Sequence, residues 1–75
     1  MKALLEFIIK NIVGEDYLIE ESDEEGKLIF TIKIPKEKIG FVIGKGGRII
    51  KAIQDIIRIK ATLENKFVYI KVEEK

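Results

Sequence analysis

The chain has 75 residues, of which 36% are charged, and its 14 basic and 13 acidic residues leave a net charge of +1. It contains no cysteine and no histidine, which excludes disulfides, thiolate metal sites and catalysis by either side chain. No stretch approaches the roughly 18 apolar residues of a membrane span. We therefore expect residues 1–75 to form one small soluble domain in a reducing cytoplasm, with no enzymatic activity, cofactor, metal or membrane partner.

The charges are separated along the chain despite the small net value. Acidic residues dominate residues 15–25, where no basic residue occurs, and basic residues dominate residues 33–60. A charged run is usually only a solvated surface, so this separation alone leaves open both a plain surface and a face that binds polyanions.

The first half of the chain predicts a helix followed by a β-hairpin. Leu5, Ile8, Ile9 and Ile12 have the spacing of one helix face, and Gly14 is expected to end that helix. Residues 17–22 predict a short strand and residues 23–26 a turn. Apolar residues then alternate with others over residues 28–34, the pattern of a half-buried second strand.

The second half predicts two helices and a final strand. Pro35 ends the second strand, since it cannot donate to a strand ladder, and a short helix over Lys36–Ile43 follows. A longer helix is predicted over Arg48–Leu63, and residues 67–72 alternate as a last strand. The buried stripe predicted for the long helix consists of Ile49, Ala52, Ile53, Ile56 and Ile57.

The predicted element order is helix, strand, strand, helix, helix, strand. The first two strands are expected to pair antiparallel, and the long helical connection favours parallel pairing of the last strand through a right-handed crossover. The expected architecture is an α+β fold with a three-stranded mixed sheet covered on one face by helices.

The most informative local feature is the glycine-rich loop between the two predicted helices. Gly44 and Gly47 enclose Lys45 and Gly46, and Arg48 follows at the start of the long helix. Glycine permits close approach of the backbone to a ligand, and no residue with a capping side chain stands at this helix start. We expect bare amides and nearby cations to bind a phosphodiester.

Other interpretations of this region are weaker. The glycines can serve simply as a helix cap and a turn. Spacing and context do not fit a Walker-type phosphate loop or a dinucleotide-binding fingerprint. For base stacking on a sheet only Phe67 and Tyr69 are candidates, and we assign them mainly to the core or to an interface. The acidic stretch is best explained as a charged hairpin edge that resists aggregation.

Residues 39–53 resemble the signature of a KH domain, and the element order resembles its type II arrangement. A chain of this length resembles the small bacterial KhpA family of RNA-binding proteins. That resemblance implies that residues 44–47 clamp the backbone of single-stranded RNA, with about four nucleotides in an adjacent groove. The residues that we expect to contact RNA are drawn from the loop, its nearby cations and the resemblance, and they are Gly44, Lys45, Gly46, Gly47, Arg48, Lys36, Lys33, Ile39, Gly40, Val42, Ile43, Ile49 and Lys51. The resemblance implies that Ile39, Val42, Ile43 and Ile49 floor the groove.

The resemblance also implies partners and a cellular role. It implies an RNA chaperone or post-transcriptional regulator that forms a homodimer, or a heterodimer with a second KH-type protein. One departure is Phe41, where the family often has a basic residue. The alternative is a protein-interaction domain that keeps the KH fold but binds little RNA, with Phe41, Ile50 and Ile59 as the contact surface.

Overall fold

The computed structural model describes all residues, Met1–Lys75, and has the predicted order of elements. The helices and strands are α1 (Lys2–Val13), β1 (Leu18–Glu24), β2 (Lys27–Ile34), α2 (Lys36–Ile43), α3 (Arg48–Leu63) and β3 (Phe67–Glu74), with a short 3-10 turn at Lys45–Gly47. The predicted bounds of α2 and α3 are confirmed. The α+β, type II KH-like class is confirmed as well, because the strands form one mixed sheet with helices on one face.

The sheet has the order β1-β2-β3, so β2 lies in the centre. It pairs antiparallel with β1 and parallel with β3, as predicted. The hairpin turn is tighter than predicted, since β1 continues to Glu24 and only two residues separate it from β2. Both of these residues, Glu25 and Gly26, have positive φ (52° and 83°), which suits the right-handed twist of a two-residue hairpin.

The core lies between the sheet and the helices and contains no buried polar or charged residue. The central strand β2 contributes Phe30, Ile32 and Ile34, each with no exposed surface. These alternate residues point to one face, so the residues between them point to the opposite, helix-free face. The helices contribute Leu5, Ile9, Val13, Val42, Ile53, Ile57 and Ala61, and the outer strands contribute Ile19 and Ile70.

The predicted buried stripe of α3 is partly wrong. Ile53 and Ile57 are buried, but Ile49, Ala52 and Ile56 are exposed. The stripe that faces the sheet consists of Ile50, Ile53, Ile57 and Ala61, in which Ile50 is half-buried against the core. The error has a physical reason: α3 has a second apolar stripe beside the first, and helical spacing alone does not say which of them meets the sheet.

None of the three helices combines the length and apolar character that crossing a lipid bilayer requires.

Candidate nucleic-acid interface

The glycine-rich loop turns the chain between α2 and α3 within a few residues. Gly44, Gly46 and Gly47 have φ values of 76°, 66° and 77°, in the region that side chains disfavour. Three such residues in a run of four allow one tight turn at Lys45–Gly47 and a direct entry into α3. The local sequence therefore determines this loop geometry through its glycines.

The glycines have different steric roles. A Cβ atom on Gly44 would lie 2.6 Å from Cγ1 of Ile49, so any side chain there would collide with the start of α3. A Cβ atom on Gly46 would meet nothing within 4 Å. Gly44 thus packs against Ile49 inside the turn, whereas Gly46 stands at its open tip, where a ligand can approach the backbone.

The expectation of bare amides along the whole loop is partly wrong. The Gly44 amide donates a hydrogen bond to the Gly40 carbonyl oxygen at 2.8 Å, and the Gly47 amide donates to the Gly44 carbonyl oxygen at 3.1 Å. The Arg48 amide donates to the Lys45 carbonyl oxygen. The Gly44 amide closes the last turn of α2 on a carbonyl four residues earlier, whereas the 3-10 geometry places the Gly47 and Arg48 amides over carbonyls three residues earlier. The start of α3 nevertheless has no side-chain cap, as predicted.

Three basic residues lie in the loop and in the first turn of α3. Lys45, Arg48 and Lys51 are exposed, and none lies within 4 Å of a carboxylate. Farther along α3, Arg58 lies 4.0 Å from Asp55. The positive charge nearest to the loop is therefore not neutralised within the chain, and it adds to the positive end of the α3 dipole.

The structure separates Lys36 and Lys33 from the loop, against expectation. Lys36 begins α2 and the loop follows its end, so eight residues at about 1.5 Å each place Lys36 about 12 Å away along the axis. Lys33 belongs to the helix-free face of the sheet, because strand alternation opposes it to the buried Ile32 and Ile34.

On that helix-free face, Lys33 already has an anionic partner. Its Nζ lies 2.7 Å from Oε1 of Glu20 on β1, and this hydrogen bond, with the negative charge of Glu20, raises the pKa of Lys33. The prediction that Lys33 joins the loop is wrong.

The predicted apolar floor of the groove is also revised. Val42 has no exposed surface, so it holds α2 on the core and cannot contact a ligand. Ile39 and Ile43 are half-buried, and Ile49 is 40% exposed beside the loop. Gly40 is exposed on α2, one turn before Gly44.

A groove that the sequence did not reveal lies between the second half of α3 and the beginning of β3. It has a volume of about 430 Å³, and its lining includes Gln54, Arg58, Lys66, Phe67 and Tyr69. A signal for the α3 residues was present, since residues 51, 54 and 58 follow one another at helical spacing on a polar side. Only the fold brings that side of α3 next to β3.

Three aromatic side chains with a predicted role, those of Phe41, Phe67 and Tyr69, are exposed. Phe67 and Tyr69 are 76% and 60% exposed, so their assignment to the core is wrong. Phe41 is 62% exposed on α2, which makes it a surface residue.

Comparison with known proteins gives a consistent result. The KH domain of the KhpA/KhpB family matches residues 2–72. The RNA-binding protein KhpA of Oceanobacillus iheyensis is 36% identical over 74 residues, covering 96% of this chain and 99% of that protein. The RNA-binding protein KhpA of Clostridium perfringens is 40% identical with the same coverage. The RNA-binding protein KhpA of Thermotoga maritima is 44% identical over 59 residues, covering 76% of this chain and 79% of that protein.

Proposed function

Because the chain belongs to the KhpA/KhpB family of KH domains, we propose that it binds single-stranded RNA by clamping the sugar-phosphate backbone with residues 44–47. The observation that carries this proposal is the open glycine tip at the uncapped start of α3, beside three unpaired cations. Curated relatives that cover nearly the whole chain are named RNA-binding proteins, which supports it.

The clamp works through charge and close approach. The internal bonds of the loop leave the amides of Lys45 and Gly46 as the backbone donors for a phosphate. The Lys45 and Arg48 side chains contribute positive charge on either side, and the dipole of α3 adds to it. The missing side chain at Gly46 lets the phosphate reach the backbone.

The groove beside β3 provides a path for the nucleotides that follow. Lys51, Gln54 and Arg58 continue from the loop along one side of α3, and Gln54 and Arg58 line the groove. Contacts to phosphate and sugar carry no sequence information by themselves. We therefore infer low sequence specificity and an affinity in the micromolar range or weaker, with marked salt dependence. Such binding suits an RNA chaperone or a post-transcriptional regulator.

A charge-reversal experiment tests the loop. Single-stranded RNA is titrated into Lys45→Asp/Gly46→Asp, and the matched control is Lys45→Asn/Gly46→Asn, which has the same side-chain shape without the negative charges. Asp and Asn both tolerate the left-handed conformation at position 46, so the two variants should fold alike. We expect the Asp pair to bind at least about tenfold more weakly than the Asn pair. Equal affinities would refute the loop assignment.

The second apolar stripe of α3 supports a protein partner as well. It consists of Ile49, Ala52, Ile56, Ile59 and Leu63, all exposed and spaced alternately by three and four residues. That spacing is typical of helices that pair with another helix. We propose that the stripe mediates a homodimer, or a heterodimer with a second KH-type protein. Ile59 belongs to this surface as predicted, whereas Ile50 does not, because it packs against the core.

The stripe and the groove lie on different sides of α3, about 160° apart around its axis, so both can be occupied at once. Sedimentation of Ile56→Glu and Ile59→Glu tests the stripe, with Thr62→Glu on the polar side as the control. We expect both isoleucine variants to sediment as monomers and the control to keep the mass of the unsubstituted chain. A dimer that survives both substitutions would exclude this surface. Dimers without any RNA binding would favour the protein-interaction alternative.

A further inference from the structure

The face of the sheet that carries no helix has an aromatic corner, formed by Phe67 and Tyr69 on β3, to which the proposed clamp at residues 44–47 assigns no role. We propose that this corner is a second site for single-stranded nucleic acid, where unpaired bases stack on Phe67 and Tyr69. The proposal takes its ligand class from the proposed RNA binding, but its residues are separate from the loop.

The two aromatic side chains are placed as a stacking surface requires. Phe67 and Tyr69 are two positions apart on the edge strand β3, so they point to the same face about 7 Å from one another. They are 76% and 60% exposed, and no helix covers them. Aromatic side chains displayed on an open sheet bind unpaired bases through their ring faces, in a way that tolerates any base.

The charges around the corner favour a polyanion. Lys27 is paired in register with Phe67, and its Nζ lies 5.9 Å from the centre of the Tyr69 ring. No carboxylate oxygen lies within 4 Å of the side-chain nitrogen of Lys27, Lys66 or Lys71. The acidic residues of this face are Glu20 and Glu24 on the opposite edge strand β1, where Lys33 holds Glu20 at 2.7 Å, and Glu73 at the far end of β3, in register with Lys33. The positive side of the face is therefore the side with the aromatic rings.

The corner is continuous with the proposed RNA path. Phe67 and Tyr69 also line the groove that Gln54 and Arg58 line from the side of α3. Arg58 is ten residues beyond Arg48, about 15 Å along the helix axis. The rings lie farther away, across the groove from Arg58 on β3, so we expect an RNA held at the loop to extend past the roughly four nucleotides that a KH loop holds before its bases reach them. The site should act on long single strands and not on short ones.

Tyrosine emission gives a direct test of stacking. The chain has two tyrosines and no tryptophan, so in a Tyr17→Phe background only Tyr69 emits. We expect a ten-nucleotide oligouridine to quench this emission and a four-nucleotide oligouridine to leave it unchanged at equal occupancy of the loop. Unchanged emission with the saturating ten-nucleotide RNA would overturn the proposal.

Affinity measurements give the second test. Phe67→Ala/Tyr69→Ala should bind the ten-nucleotide RNA at least about fivefold more weakly and the four-nucleotide RNA as the unsubstituted chain does. The control Phe67→Tyr/Tyr69→Phe keeps both rings and should bind both RNAs normally. The substituted side chains are largely exposed, so the fold should persist.

The outcomes separate this proposal from the loop assignment. If Phe67→Ala/Tyr69→Ala binds the longer RNA normally while Lys45→Asp/Gly46→Asp does not, the second site is refuted and the loop stands. If half-maximal quenching of the Tyr69 emission requires the same RNA concentration with and without the loop substitutions, the loop assignment fails and the second site stands. If the alanine pair alters the sedimenting mass but no RNA affinity, the face binds protein and the proposal is overturned.

Discussion

Two apolar stripes run side by side along α3, and they differ in what covers them. Ile53 and Ile57, in the stripe that faces the sheet, are at most 3% exposed, whereas Ile56 and Ile59, in the other stripe, are 46% and 66% exposed. Both have the spacing of an amphipathic helix face, and they lie about 120° apart around the axis. One helix therefore carries a buried apolar surface that holds the fold together and an exposed apolar surface built from the same residue type.

The largest expected effect separates the two stripes by stability. Ile57→Ala removes a side chain with no exposed surface and should lower the free energy of unfolding by about 2–5 kcal/mol. Ile59→Ala is the same chemical change at a 66% exposed position and should alter it by less than about 0.5 kcal/mol. Urea unfolding at a concentration where both chains are monomeric checks this. Similar losses of stability in the two variants would contradict the difference in burial between Ile57 and Ile59.

Two glycines one helical turn apart extend the comparison to the loop. Gly44→Ala forces a Cβ within 2.6 Å of Ile49 at a positive φ, and should destabilise the fold by about 1–3 kcal/mol. At Gly40, within α2, an added Cβ would meet nothing within 4 Å, so Gly40→Ala should stabilise the fold by up to about 1 kcal/mol through its higher helix propensity. Thermal unfolding of both variants measures the difference. Opposite signs are expected, and a loss in Gly40→Ala equal to that in Gly44→Ala would contradict the described packing.

A smaller effect separates the two faces of the sheet. Lys51 is an unpaired cation beside the loop, and replacing it by alanine should lower the slope of log affinity against log salt by about 0.7 for four-nucleotide RNA. Lys33 is paired with Glu20 on the helix-free face, so Lys33→Ala should leave that slope unchanged. Titrations at several salt concentrations measure both. A slope that falls in Lys33→Ala but not in Lys51→Ala would place the four-nucleotide RNA on the helix-free face of the sheet and contradict binding at the loop.

The smallest expected effect concerns an exposed ion pair near the chain end. The Lys75 ammonium donates a hydrogen bond to Oδ1 of Asp16 at 2.7 Å and holds the pKa of that carboxyl below its ordinary value. A lowered folded-state pKa stabilises the fold above the unfolded value of about 3.9, and this contribution is lost as the pH falls through the folded value. Asp16→Asn should therefore be slightly less stable at pH 7 and equal to the unsubstituted chain in acid. A difference that persists at pH 2 would contradict the ion pair as its cause.

The sequence predicted the fold well because its local signals agree with one another. Pro35 and the glycines end elements at the correct places, and alternation in β2 identifies the buried Phe30, Ile32 and Ile34. These features act over a few residues, so they can be recognised along the chain. The rotation of α3 was missed because its two stripes satisfy the same periodicity.

The candidate site was harder to predict because it depends on which faces meet. Lys33 and Lys36 are near the loop in the sequence and carry the expected positive charge, but strand alternation and the length of α2 place them elsewhere. Val42 has the expected apolar character, but it is completely buried. The groove that Gln54, Lys66 and Tyr69 line joins residues far apart in sequence, and only the parallel placement of β3 brings them together.

Amide chemical shifts can show residue by residue whether RNA binds at the glycine tip before α3. A ¹⁵N-labelled sample is titrated with a four-nucleotide single-stranded RNA, which is too short to reach β3 as well. We predict the largest shift changes at Lys45, Gly46 and the first turn of α3, with no change in the acidic hairpin. Changes confined to other elements, with the amide signals of Lys45 and Gly46 unmoved at saturation, would refute RNA binding at the glycine tip.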